Sequence, residues 1–208
     1  MTTKNPAALE RARQAVIAVG DGRGVIIEAS DDRFVVTAAH CLPFLPPAHG
    51  ASYLNERTYK DFLGPLNESK HKVWAECLFA DPVSDIAVLG SPDAGALWDE
   101  AEAYEALMAE APALQISDPP AQAPAWLLTL DGGWSQCLIN HHGGPLWISG
   151  AAEGIVGGMS GSPIVADDAT AIGLVCVSGG SPGDLHTEGG PNARLTHSLP
   201  GWFLLKLR

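Results

Sequence analysis

The sequence predicts an all-β protein whose strands fall into two successive sets, and three observations carry that expectation. Short apolar or alternating runs recur along the chain, each bounded by turn-forming residues. Gly and Pro are abundant, 23 and 16 among 208 residues, as many strands joined by frequent turns require. One alanine- and acid-rich stretch near the middle divides the runs into two sets.

Residues 1–12 read as an N-terminal extension and residues 13–96 as the first strand set, with strands expected at 15–19, 24–28, 34–37, 73–79 and 86–89. The proline-rich loop at 43–47 and the stretch 53–72 are expected to be surface excursions. Residues 97–120 form the connection. Leu97, Trp98, Ala101, Tyr104 and Met108 recur there at helical spacing, which predicts a short amphipathic helix serving as a solvated linker or, alternatively, a partner-binding helix. The second strand set is expected over 121–208, with strands at 126–130, 137–140, 146–149, 163–165, 171–177 and 193–196.

Hydrophobic residues make up 46% of the chain and charged residues 17%, which suits a compact body with a substantial core. The formal net charge is −12 with no basic stripe, so neither nucleic acid nor an anionic membrane is an expected partner. The apolar run at 15–19 is too short for a signal-peptide core, and no run approaches the ~18 apolar residues of a membrane helix. A cytoplasmic protein is expected. The four cysteines, Cys41, Cys77, Cys137 and Cys176, share no C-x-x-C spacing; they read as reduced thiols, three of them inside strand-like runs. No metal or organic cofactor is implied.

Three segments carry chemistry. Gly158-Met159-Ser160-Gly161-Ser162-Pro163 sets a serine between glycines, downstream of Thr37-Ala38-Ala39-His40-Cys41 and Asp85-Ile86-Ala87-Val88-Leu89. A serine hydroxyl is a poor nucleophile unless a base removes its proton during attack, and His40 supplies one. A carboxylate at Asp85 would fix the imidazole tautomer and stabilise the imidazolium. Gly158 and Gly161 permit the tight turn that aims backbone N–H groups at a developing oxyanion. Each residue has a plainer reading: Ser160 as a turn serine, His40 as one of seven histidines, and Asp85 in competition with Asp81, which precedes Pro82 and suits a turn. His141-His142 is expected in a hairpin loop, since neighbouring strand side chains point to opposite faces.

Together these segments resemble the chymotrypsin-like (trypsin-fold) serine peptidases, in the chain order His, Asp, Ser. The spacing is similar too: 45 residues from His40 to Asp85 and 75 from Asp85 to Ser160. The resemblance implies two six-stranded barrels with the site in the cleft between them and a short C-terminal helix. It implies a catalytic triad of His40, Asp85 and Ser160, and an oxyanion hole from the N–H groups of Gly158 and Ser160. By the same resemblance a substrate pocket has its floor at Gly154 and walls at Val177, Ser178, Gly179 and Asn192. A glycine floor implies preference for an uncharged, small to medium apolar residue before the scissile bond; Glu153 would overturn this if the loop shifted by one residue.

The expected activity is that of a serine endopeptidase acting on protein or peptide. Two departures from digestive relatives stand out. Cys41 sits where one end of a bridged pair would be, yet no cysteine precedes it. The position that pairs with a new N-terminal amine in zymogens holds Met159, so activity should not depend on N-terminal processing, as in the similar bacterial HtrA-type enzymes. Control is then expected from a regulatory protein or from loop ordering. The alternative is a latent or non-cleaving protease-fold protein that binds a partner or peptide and acts only once its oxyanion loop is ordered.

Overall fold

The computed structural model describes residues 5–47, 56–66, 72–177 and 186–207. Six strands close the first barrel: β1 (Val16–Val19), β2 (Gly22–Ala29), β3 (Asp32–Thr37), β4 (Thr58–Pro65), β5 (Val73–Asp81) and β6 (Ile86–Gly90), in the spatial order β1-β2-β3-β6-β5-β4. Its interior is filled by alternate residues such as Ile26, Val35, Leu63 and Leu89, all fully buried.

β4 lies within the stretch expected to be a surface excursion. Its pattern escapes a period-two reading because the register against β5 shifts between Tyr59 and Leu63, and Asp61 takes φ 50° there. The extra residue of such a bulge breaks the alternation while Tyr59, Phe62 and Leu63 still pack inward.

Ahead of β1, helix α1 (Pro6–Gln14) is capped by Asn5 Oδ1, which accepts from the Ala8 N–H at 3.3 Å, and it buries Leu9 and Ala12. Between the two strand sets, helix α2 (Trp98–Glu110) buries Ala101, Tyr104, Leu107 and Met108. Trp98, expected on the apolar face, is instead 69% exposed. The connection is not a solvated linker. Tyr104 joins the first-barrel core and its hydroxyl donates to the Arg33 carbonyl at 3.0 Å.

Among the described residues the second unit has six strands, β7 (Gln122–Leu128), β8 (Trp134–Asn140), β9 (Leu146–Ser149), β10 (Pro163–Val165), β11 (Ala171–Leu174) and β12 (Gly189–Asn192). They form a curled sheet in the order β11-β10-β7-β8-β9-β12 rather than a closed ladder. Its two edges meet just past the strand ends, where the Leu174 N–H donates to the Ala193 carbonyl at 3.0 Å. A strand expected at 193–196 is therefore corrected: the strand ends at Asn192, and Leu195–Ser198 forms the short helix α3. Helix α4 (Gly201–Lys206) follows and packs Phe203 edge-on to Phe34 of β3, at 5.3 Å between ring centroids. The C-terminus thus braces the first barrel. No helix among the described residues is long and apolar enough to cross a membrane.

Candidate active site

Strand β3 buries Phe34 to Thr37 and runs into a one-turn 3-10 helix, Ala39–Cys41, that buries Ala39 and exposes His40. Asp85 stands immediately before β6 with φ 52°, a left-handed conformation that L-residues avoid and that aspartate tolerates better than most. Its Oδ1 accepts from the His40 backbone N–H at 2.9 Å, and its Oδ2 lies 2.6 Å from His40 Nδ1. The hydrogen bond to Asp85, then that to Cys41, holds the His40 pKa above its ordinary value, against the opposing effect of burial. Nδ1 is occupied. Nε2 remains the ring nitrogen available to a reactant.

Ser160 lines the same cleft as His40, a space of about 460 Å³ that also meets Gly22, Cys41, Leu42 and Phe62. No hydrogen bond joins Ser160 to His40, a common state for such pairs in the absence of substrate. The loop around Ser160 is fixed on every side. Its carbonyl accepts from the Arg23 N–H at 2.8 Å, the Gly161 N–H donates to the Val175 carbonyl at 2.8 Å, and the Ser162 N–H donates to the Met159 carbonyl at 2.9 Å. Met159 is buried, its N–H donates to the Val156 carbonyl at 3.2 Å, and its sulfur accepts from the Val156 N–H at 3.4 Å. Among the described residues, no protein group engages the N–H of Gly158 or of Ser160.

The competitors are accounted for elsewhere. Asp81 Oδ1 accepts from the Val83 N–H at 2.8 Å, closing the turn before Asp85. His141 is buried, with Nε2 3.1 Å from the Pro119 carbonyl and Nδ1 contacted by Gly143 and Arg194. His142 is exposed, so the pair divides between two faces.

Of the expected pocket residues, Gly154 is buried with φ 74°, while Glu153 beside it is exposed and its N–H donates to Ser135 Oγ at 3.0 Å. Asn192 is buried and does more than border a cavity: its Oδ1 accepts from the Cys176 N–H at 2.8 Å and the Val177 N–H at 3.2 Å. Val177 is 43% exposed. Ser178 and Gly179 lie outside the described residues.

Two residues at the site carry no signal in the sequence. Cys176, one of the thiols assigned to simple core packing, sets its Sγ 3.4 Å from the Asp85 carbonyl, and burial pushes the thiol up to about 12. Arg23 reaches across to the second strand set, where Nη1 donates to the Leu128 carbonyl at 3.0 Å. Neither belongs to a motif; both are placed by the closing of the two sheets on one another.

No protein-family model matches the sequence, and no curated protein matches it significantly. Solved structures do resemble it. Over 100% of this chain and 98% of its own length, the Rv3671c protease in its inactive form, from M. tuberculosis, aligns with a TM-score of 0.57 at 16% identity. A serine endoprotease from Yersinia pestis aligns over 100% of this chain and 67% of its own, with a TM-score of 0.58 at 18% identity. The closed barrel, the curled second sheet and these alignments agree: the chain has the fold of the chymotrypsin-like serine proteases.

Proposed function

We propose that this protein is a serine endopeptidase with His40, Asp85 and Ser160 as its catalytic triad. The observation that carries the reading is the two-point hold of Asp85 on His40, with Ser160 lining the same cleft. A side chain held through both its backbone N–H and its ring nitrogen has little rotational freedom left. Its Nε2 is the base.

Ser160 Oγ attacks the substrate carbonyl carbon as its proton passes to His40 Nε2, and the imidazolium is stabilised by Asp85. The N–H groups of Gly158 and Ser160, which no described residue engages, would receive the negative oxygen of the tetrahedral intermediate. Collapse breaks the C–N bond and returns the proton from Nε2 to the leaving amine, leaving Ser160 acylated. Water then repeats the sequence in reverse roles. That no described residue engages the Ser160 N–H favours this reading over a latent form.

Gly154 beneath the expected pocket, with Glu153 facing solvent, favours an uncharged, small to medium residue before the scissile bond. The four cysteines are unbridged, which suits a reducing compartment. A fluorophosphonate probe tests the central assignment: it should label wild-type protein and fail on S160A and H40A. Wild-type protein that stays unlabelled while correctly folded would overturn the reading.

A further inference from the structure

We infer that Arg23 is a positioning residue for the nucleophile loop, an inference that rests on the peptidase reading above. Arg23 is only 7% exposed, yet among the described residues it has no ion-pair partner. Backbone carbonyls alone receive its charge: Nη1 donates to Leu128 at 3.0 Å and to Thr129 at 3.1 Å, and Nη2 to Leu130 at 3.4 Å. Those carbonyls end β7 and begin the turn after it, in the other strand set.

The rest of Arg23 is committed to Ser160 and its neighbour. Its N–H holds the Ser160 carbonyl at 2.8 Å, and its own carbonyl accepts from Thr37 Oγ1 at 2.7 Å. That same carbonyl lies so close under Gly161 that a Cβ there could not be accommodated. The far end of the strut returns to the loop as well. Leu130, whose carbonyl Arg23 holds, lies against Gly158, with its Cδ2 3.5 Å from where a Cβ would stand. One residue therefore contacts the nucleophile's backbone directly and braces the turn whose Leu130 side chain lies against Gly158.

Burying a cation without a counter-ion is a poor way to gain stability, since an apolar side chain of similar volume does as well or better. Arginine suits geometry. Its planar fork can address three carbonyls in a fixed arrangement, which the compact ammonium of lysine reproduces only in part and the thioether of methionine not at all. With Met159 in place of an acid, the loop has no internal ion pair to hold it, and the Arg23 strut supplies a tie from outside.

The test compares R23M, R23K and R23Q with wild type at matched folded fraction, determined by thermal unfolding. The readouts are the second-order rate of fluorophosphonate labelling and the kcat and KM of a short peptide ester. R23M should lose tenfold or more in labelling rate and kcat, with KM changed by less than twofold, and R23K should lie between. R23Q carries the comparison if R23M does not fold. A folded R23M or R23Q that labels at the wild-type rate overturns the inference alone, as does a loss that R23K fails to lessen. Wild-type protein that does not label at all overturns the peptidase reading and this inference with it.

Discussion

Asp85 holds His40 at two points, accepting the backbone N–H through Oδ1 at 2.9 Å and meeting the ring Nδ1 through Oδ2 at 2.6 Å. The grip depends on an unusual backbone. A φ of 52° at Asp85 turns the chain sharply into β6, and strain of this kind persists where surrounding contacts over-determine it. Here they are the two bonds to His40 and the Cys176 thiol, 3.4 Å from the Asp85 carbonyl.

Replacing that carboxylate tests the tautomer argument. In D85N the side-chain oxygen can still accept the His40 N–H, but the amide nitrogen then faces Nδ1 as a donor. The ring proton moves to Nε2, which can no longer take a proton from Ser160. D85N should fold, and its kcat on a peptide ester should fall by roughly 10⁴. A variant within tenfold of wild type would remove Asp85 from the mechanism.

The same contact sets a pH dependence. The hydrogen bond to Asp85, and secondarily that to Cys41, raises the His40 pKa above 6.5 in the folded protein. General-base catalysis needs the neutral ring, so kcat/KM should climb through the alkaline side of neutrality rather than level off near pH 7. Stability runs the other way. A raised folded-state pKa contributes stabilisation that is complete below the unfolded value near 6.5 and is lost as pH rises through the folded value. The melting-temperature advantage of wild type over H40Q should therefore shrink above pH 6.5. An advantage that grows with pH contradicts the assignment.

Two glycines flanking the nucleophile should respond differently to a methyl group. Gly161 has φ 77°, and an added Cβ would collide with the Arg23 carbonyl and stand 2.6 Å from Thr37 Oγ1. G161A should lose both fold stability and all activity, because backbone cannot step aside cheaply. Gly158 has φ 88°, but its Cβ would meet only Leu130 at 3.5 Å, an ordinary contact. G158A carries backbone strain of roughly 1–3 kcal/mol and should stay folded with reduced kcat. Thermal unfolding with parallel labelling separates the two, and equal damage in both variants would contradict this difference.

The fold class and the candidate residues were legible in the sequence, while several of the contacts that position those residues were not. His40, Asp85 and Ser160 stand out because each sits beside an apolar strand or a glycine turn, a local pattern that survives without alignment. What stayed hidden depends on contacts between distant segments. Strand β4 was masked by the bulge at Asp61, and although Ala101, Tyr104 and Met108 mark an apolar face on α2, only the contact of Tyr104 with the first-barrel core shows what that face covers. Arg23 and Cys176 belong to no motif; their partners lie 105 and 91 residues away. The short strand after 193 failed for a local reason, since α3 begins at Leu195 while 193–194 only bridge to β11.

Met159 stands where the resemblance to zymogen-activated peptidases would place an acid that pairs and orders the loop, and packing holds it here. It is 1% exposed, sits in the second-unit core with Ile155 and Val175, and exchanges bonds with Val156 through its N–H and sulfur. M159A should cost roughly 2–5 kcal/mol of stability and lower kcat, by leaving a cavity under the oxyanion turn. M159L should retain most of the stability, since the volume is conserved. Guanidinium unfolding of the three proteins measures this directly, and an M159A protein as stable as wild type would refute the packing account.

Substrate preference turns on what lies beneath the residue that precedes the scissile bond. At the proposed pocket floor Gly154 offers no side chain, and Glu153 is exposed with its N–H committed to Ser135, so neither supplies a buried negative charge. In a panel of peptides differing only at that residue, those with Ala, Val or Leu should be cleaved faster than those with Lys or Arg. The decisive comparison is G154D. Aspartate tolerates the positive φ of 74° better than most residues, and a carboxylate there would face an incoming cation in a poorly solvated site. It should raise kcat/KM for the Arg peptide relative to the Leu peptide by at least tenfold, about 1.4 kcal/mol in transition-state binding. Wild-type protein that already favours Arg would mean that another group forms the floor, and an unchanged ratio in G154D would place Gly154 outside the pocket.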